Sequence, residues 1–88
     1  MRVEFRASFA KDLRIVRDKG LSKQIKETIE SVEQAQRLEE IANLKKLRGK
    51  GNYFRIRIGE YRIGIAVEND TVTFVRRLNR KEIYRYFP

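Results

Sequence analysis

The spacing of hydrophobic positions changes period twice along the chain. Residues 2–6, RVEFR, alternate strictly, with Val3 and Phe5 on one side and Arg2, Glu4 and Arg6 on the other. That pattern predicts a short, half-buried strand. From Ser8 the period lengthens. Phe9, Leu13 and Val16 fall at i, i+4 and i+7 and predict a helix that Ser8 caps and Gly20 ends. Ile25, Ile29 and Val32 repeat the spacing in a second helix opened by Ser22, whose other face (Lys23, Lys26, Glu27, Glu30, Glu33) is ordinary solvated surface. Two helices joined around Gly20 make a hairpin that can lie across a sheet. Residues 38–43 loosen into a bend or a single helical turn, and LKKLRGKGN at 44–52 reads as a basic connector.

Period two then returns and persists. Phe54, Ile56 and Ile58 alternate with Arg55 and Arg57; Ile63, Ile65 and Val67 alternate with Arg62, Gly64 and Ala66; Val72 and Phe74 continue after Asn69-Asp70. Gly59-Glu60 and Asn69-Asp70 both suit two-residue hairpin turns, because Gly and Asn tolerate positive φ. The expected fold is α+β in the order β-α-α-β-β-β, an antiparallel sheet with a helical hairpin packed on one face and a short C-terminal helical turn within NRKEIYRYFP. At 88 residues it is a single domain, 1–88.

These turns also set a register. With Gly59-Glu60 as the loop, Arg57 faces Arg62, Ile56 faces Ile63 and Arg55 faces Gly64, so the isoleucines share the helix side and the arginines share the other. With Asn69-Asp70 as the loop, Val67 faces Val72 and Ile65 faces Phe74; a slip of one residue would expose all of them. That pairing also sets Arg77 opposite Arg62 and puts four arginines on an open sheet face. Gly64 and Ala66 would leave a shallow floor between them. Guanidinium groups grip phosphate through paired hydrogen bonds, whereas a purely solubilising role needs no such crowding. After the last strand come Arg80, Tyr84, Arg85, Tyr86 and Phe87. Returned over the open face, Tyr84 would stack a base while Arg80 meets a phosphate; Tyr86 and Phe87 serve equally well to close the edge of the core.

Composition narrows the function. Lys and Arg number nine against eight acids over residues 1–44, but twelve against four over 45–88. So lopsided a field draws a polyanion, with nucleic acid ahead of a merely solvated surface or a lipid headgroup surface. The chain has no cysteine and no histidine, which removes disulfides, thiolate metal sites and the usual ribonuclease acid–base pair. No cofactor or metal is expected. No apolar run approaches the roughly 18 residues of a membrane span, and MRVEFRASF lacks the apolar middle of a signal peptide. A cytoplasmic location is the expectation.

FAKDL at 9–13, the run LKKLRGKGNYFRIRIGEYRIGI at 44–65 and LNRKEIY at 78–84 occur in this order behind an opening strand. On these residues the chain resembles the RelE/ParE superfamily of bacterial toxins from toxin–antitoxin systems, over nearly its whole length. RelE-type members are ribosome-dependent endoribonucleases that cut mRNA in the ribosomal A site. ParE-type members poison DNA gyrase and generally lack the full set of basic and tyrosine residues. That set is filled here by Arg55, Arg57, Arg62, Arg80 and Tyr84. The resemblance therefore implies a metal-independent endoribonuclease in which a 2′-OH attacks the neighbouring phosphodiester. Arg57 and Arg62 would hold the scissile phosphate, Arg55 the flanking one, Arg80 the departing 5′-oxygen, and Tyr84 a stacked base. Lys45, Lys46 and Arg48 match the segment that would grip rRNA, with Lys50, Arg77, Lys81 and Arg85 as further nucleic-acid contacts. The implied partners are a cognate antitoxin protein, the ribosome and its A-site mRNA. One departure stands out: Arg55 and Arg57 replace the strand lysines found in some relatives, and arginine is no ordinary general base. A gyrase inhibitor and a non-catalytic RNA-binding module remain as alternatives.

Overall fold

Each alternating segment folds as a strand, and one segment without alternation joins them. The computed structural model describes residues 1–47, 49 and 51–88. The order is β1 (Arg2–Phe5), α1 (Ala7–Arg14), α2 (Lys19–Gln34), a single 3-10 turn (Leu38–Glu40), β2 (Leu44–Lys46), β3 (Tyr53–Ile58), β4 (Tyr61–Glu68), β5 (Thr71–Asn79) and α3 (Ile83–Tyr86). The sheet runs β1-β5-β4-β3-β2. β1 lies parallel to β5, and the other neighbours are antiparallel. The α+β expectation holds, with two amendments. The sheet is mixed, since the helices carry the chain from β1 across to the far side. The supposed connector contributes an edge strand, with Lys45 opposite Arg55 and Lys46 opposite Phe54. Three residues are too few to show a period, and two exposed lysines are ordinary protection for a sheet edge.

Helix ends also moved. Ser8 does not cap α1; it lies in the first turn and its hydroxyl donates to the Val75 carbonyl. Nor does Gly20 end a helix or Ser22 open one. α1 stops at Arg14, and Asp18 caps α2 by accepting from the amides of Gly20 (2.8 Å) and Leu21 (3.2 Å). A carboxylate that reaches two free N–H groups outranks the glycine signal two residues later.

Phe9, Ile25 and Val32 from the helices pack on Ile56, Ile63, Ile65, Val72 and Phe74 from the sheet, all nearly or fully buried. The first hairpin adopts the expected register: Ile58 pairs with Tyr61, Arg57 with Arg62, Ile56 with Ile63 and Arg55 with Gly64. Gly59 and Asn69 turn their hairpins with φ of 56° and 55°. The second hairpin begins as expected, Val67 opposite Val72 and Ile65 opposite Phe74, and then slips. Between Ile65 and Gly64 the pairing shifts, so that Gly64 meets Arg76, Ile63 meets Arg77 and Arg62 meets Leu78. Val75 is the extra residue of a β-bulge.

That slip inverts the phase of every later side chain. Arg77 is not opposite Arg62 on an open face; it is 8% exposed on the helix side. There its Nη2 donates to the Asp12 carbonyl at 3.2 Å, and its guanidinium lies 5.0 Å from the Tyr61 ring centroid. The Asp12 carboxylate holds the bulge. It accepts from Arg76 Nε (2.8 Å) and Nη2 (3.2 Å) and from the Arg77 amide (2.8 Å). Leu78 is turned the other way and joins Leu47, Ile83 and Phe87 in a second apolar cluster, with Tyr53 and Val75 against it. The Phe87 ring seats on Gly64, where any Cβ would come within 2.7 Å of it. The floor expected to lie open beside the arginines is thus filled by Phe87, while Tyr86 stays 50% exposed.

Two outcomes check this packing. Gly64→Ala is expected to cost about 1–3 kcal/mol in denaturant unfolding, and less when Phe87→Ala is present in the same chain, because the clash has gone. Asp12→Ala, which leaves Arg76 and the Arg77 amide without their buried acceptor, is expected to cost about 3 kcal/mol or more.

Candidate nucleic-acid interface

The sequence-predicted residues occupy three neighbouring places. Arg55 and Arg57 stand on β3, Arg62 on β4, and Arg80 with Tyr84 follows β5 into α3. β3 and β4 bring Arg57 and Arg62 directly opposite each other. The bulge and the second cluster bring in the C-terminal pair, helped by a bond from the Arg80 amide to the Glu60 carbonyl at 2.9 Å. Arg62 lies electrostatically among all the others. Its pKa is lowered first by burial, then by repulsion from Arg55 and Arg57, and least by Arg80, while Tyr84 acts in the opposite direction.

Backbone carbonyls hold two of these side chains. Arg55 Nη1 donates to the Asn43 carbonyl at 2.8 Å, and Asn43 has the left-handed φ of 63°. Arg62 Nη1 donates to the carbonyls of Gly59 and Tyr61, both at 2.9 Å. Arg55 Nε is out of solvent with no acceptor among the described residues. Arg80 reaches a carboxylate, Glu60 Oε2 at 3.1 Å, with side chains 57% and 75% exposed. The hairpin turn therefore brings one acid to the cationic group, which strand alternation alone did not show. So exposed a pair contributes little and exchanges readily for another anion.

Other expected contacts divide. Lys45 extends the row by register, opposite Arg55. Lys45, Lys46, Tyr84, Phe87 and Pro88 border a cleft of about 370 Å³. Tyr84 is 65% exposed, open enough for a base to stack on it. Lys81 and Arg85 are exposed, the latter 5.5 Å from the Tyr86 ring centroid. Arg48 and Lys50 lie outside the described residues. Arg77 leaves the interface for the reason given above. Sequence reasoning missed Asp12, although a signal was present: an acid beside Phe9 and Leu13 on the inward stripe of a helix demands a cationic partner.

The family model for the ParE toxin of type II toxin–antitoxin systems matches residues 3–84. The chain belongs to this toxin family. It is 46% identical to Toxin RelE3 of Methanocaldococcus jannaschii over 89 residues, covering all of both chains. It is also 30% identical to Putative toxin RelE1 of the same organism, over 91% of this chain and 89% of that one. Among solved structures, the RelB-RelE antitoxin–toxin complex from Methanococcus jannaschii contains a chain that superposes with a TM-score of 0.81 at 45% identity, over 97% of this chain and 99% of that one. The Escherichia coli RelBE toxin–antitoxin complex shares the fold at a TM-score of 0.70 and 23% identity, over 89% and 94%.

Crowding like charges across a strand pair has a measurable signature in this toxin. Arg57→Gln, which removes the repulsion with Arg62, is expected to raise stability by about 0.2–1 kcal/mol, with the gain shrinking as salt rises. Sulfate should stabilise the wild type more than this variant in a thermal melt.

Proposed function

We propose that this toxin is an endoribonuclease that cuts mRNA on the translating ribosome. The observation that carries the reading is the placement of Arg55, Arg57, Arg80 and Tyr84 around Arg62, all close enough to perturb it. Such a set suits a phosphodiester, whose transition state gathers charge on the phosphoryl oxygens.

In the proposed reaction the 2′-oxygen attacks phosphorus, the bond to the 5′-oxygen breaks, and the products are a 2′,3′-cyclic phosphate and a free 5′-OH. Arg57 and Arg62 would bind the non-bridging oxygens from opposite strands. Arg55 would hold the flanking phosphate. Arg80, exchanging Glu60 for substrate, would neutralise the departing oxygen. Tyr84 would stack a base so that the 2′-oxygen lies in line with the breaking bond. Since arginine keeps its proton, water outside this group would take the 2′-OH proton and return one to the departing 5′-oxygen. Guanidinium groups would supply the charge stabilisation that a metal supplies elsewhere. A cognate antitoxin with an acidic or amphipathic segment would silence the toxin by covering the cationic face.

A second reading, inhibition of DNA gyrase, is favoured by one observation: the matching family model is that of ParE. Primer extension on translated mRNA after induction tests the pair. The expected outcome is cuts with the wild type and a loss of roughly 10²–10³ in rate for Arg80→Ala. Growth arrest with a DNA-damage response and intact mRNA would instead establish the gyrase reading.

A further inference from the structure

The edge strand contributes two adjacent lysines, and the pairing separates them. Lys45 stands opposite Arg55 and Lys46 opposite Phe54. Side chains directly opposite share a sheet face. Lys45 is therefore on the face of Arg55 and Arg57, whereas Lys46 shares the helix side with Phe54, which packs against the main core. Leu47 fixes the phase independently. Its amide donates to the Tyr53 carbonyl at 3.0 Å, continuing the β2–β3 ladder, and its side chain joins the cluster of Phe87, the ring seated on Gly64. Both lysines border the cleft of about 370 Å³ beside Tyr84, so the pairing, and not nearness to that cleft, distinguishes them.

The open face thus carries two cross-strand cation pairs, Arg57 with Arg62 and Arg55 with Lys45. They stand two residues apart on β3, which is about 7 Å at the rise of a strand. Neighbouring phosphates of an extended RNA strand are separated by a similar step. Arg55 Nη1, held by the Asn43 carbonyl just before β2, leans its guanidinium toward that strand. Among the described residues, neither Arg55 nor Lys45 forms an ion pair. Like charges set opposite each other destabilise the strand pair, and an anion shared between them reverses the sign. We infer that Lys45 is a positioning residue for the substrate. Together with Arg55 it holds the mRNA phosphate next to the one gripped by Arg57 and Arg62, and Lys46 takes no part in this. The inference rests on the ribonuclease reading and moves Lys45 from the rRNA-facing segment to the substrate track. A strand fixed at two successive phosphates keeps its 2′-oxygen in line with the breaking bond.

Single-turnover cutting on programmed ribosomes, read by primer extension over a range of toxin concentrations, separates the two roles. A residue that grips rRNA sets the concentration for half-maximal cutting; one that positions the mRNA sets the rate at saturation. Lys45→Gln should lower the saturated rate about tenfold. Lys46→Gln should instead raise the half-maximal concentration. Lys45 is exposed on an edge strand, and its replacement relieves a like-charge pair, so the fold is retained. A second measurement places an uncharged methylphosphonate, 2′-O-methylated at that linkage, on each side of the cut in turn. On one of these two mRNAs the wild type and Lys45→Gln should cut at equal rates, because the charge that Lys45 meets has gone. Three results overturn the assignment while the ribonuclease reading stands: a Lys45→Gln effect confined to the half-maximal concentration, a Lys45→Gln deficit undiminished on both methylphosphonate mRNAs, or an equal loss of saturated rate in Lys46→Gln. An absence of cutting by the wild type removes both.

Discussion

The carboxylate of Asp12 is the point on which the functional face depends. It is buried, and three donors converge on it: two from the Arg76 guanidinium and one from the Arg77 backbone. The consequence is geometric more than energetic. By stabilising an extra residue in β5, Asp12 turns Arg77 inward and Leu78 outward at a point where alternation alone would do the reverse. Leu78 can then join Leu47, Ile83 and Phe87, and that cluster seats the segment bearing Arg80 and Tyr84 across β4. A contact between α1 and β5 on the helix side thereby decides what stands on the opposite side of the sheet.

The interface shows the converse economy. Arg57 opposite Arg62 destabilises an isolated hairpin, and partial burial of Arg62 adds to the strain. Among the described residues, backbone carbonyls and one exposed glutamate offset this. Such an arrangement is at its most stable with an anion bound. The same logic accounts for a toxin that would be held by an antitoxin presenting negative charge: the partner completes an electrostatic group that the fold leaves incomplete.

Most of this architecture was legible in the residues, and the exceptions are instructive. The β3–β4 register followed from Gly59-Glu60 because a two-residue loop leaves no freedom in pairing. The β5 register was legible only as far as Phe74. A bulge of one residue leaves no mark in composition, and the run VRRLN at 75–79 is compatible with either phase. Its cause lies some 60 positions earlier, in Asp12. β2 escaped for want of length, and the start of α2 because Gly20 and Ser22 drew the helix boundary past the capping Asp18. Of the proposed catalytic residues, Arg55, Arg57 and Arg62 were read from strand alternation and pairing, and Arg80 and Tyr84 from their place after the last strand. Arg77 failed with the register that had placed it.

The contact between Phe87 and Gly64 gives the account its most direct check. An aromatic ring seated on a glycine shifts the glycine Hα resonances upfield in a proton spectrum, and the wild type should show this for Gly64. In Asp12→Ala, under conditions where the methyl signals of Ile63 and Val72 still report a folded core, those resonances should move back toward ordinary values as the C-terminal segment leaves its seat. A folded Asp12→Ala protein with the Gly64 shift intact would contradict the claim that the buried carboxylate positions the functional face.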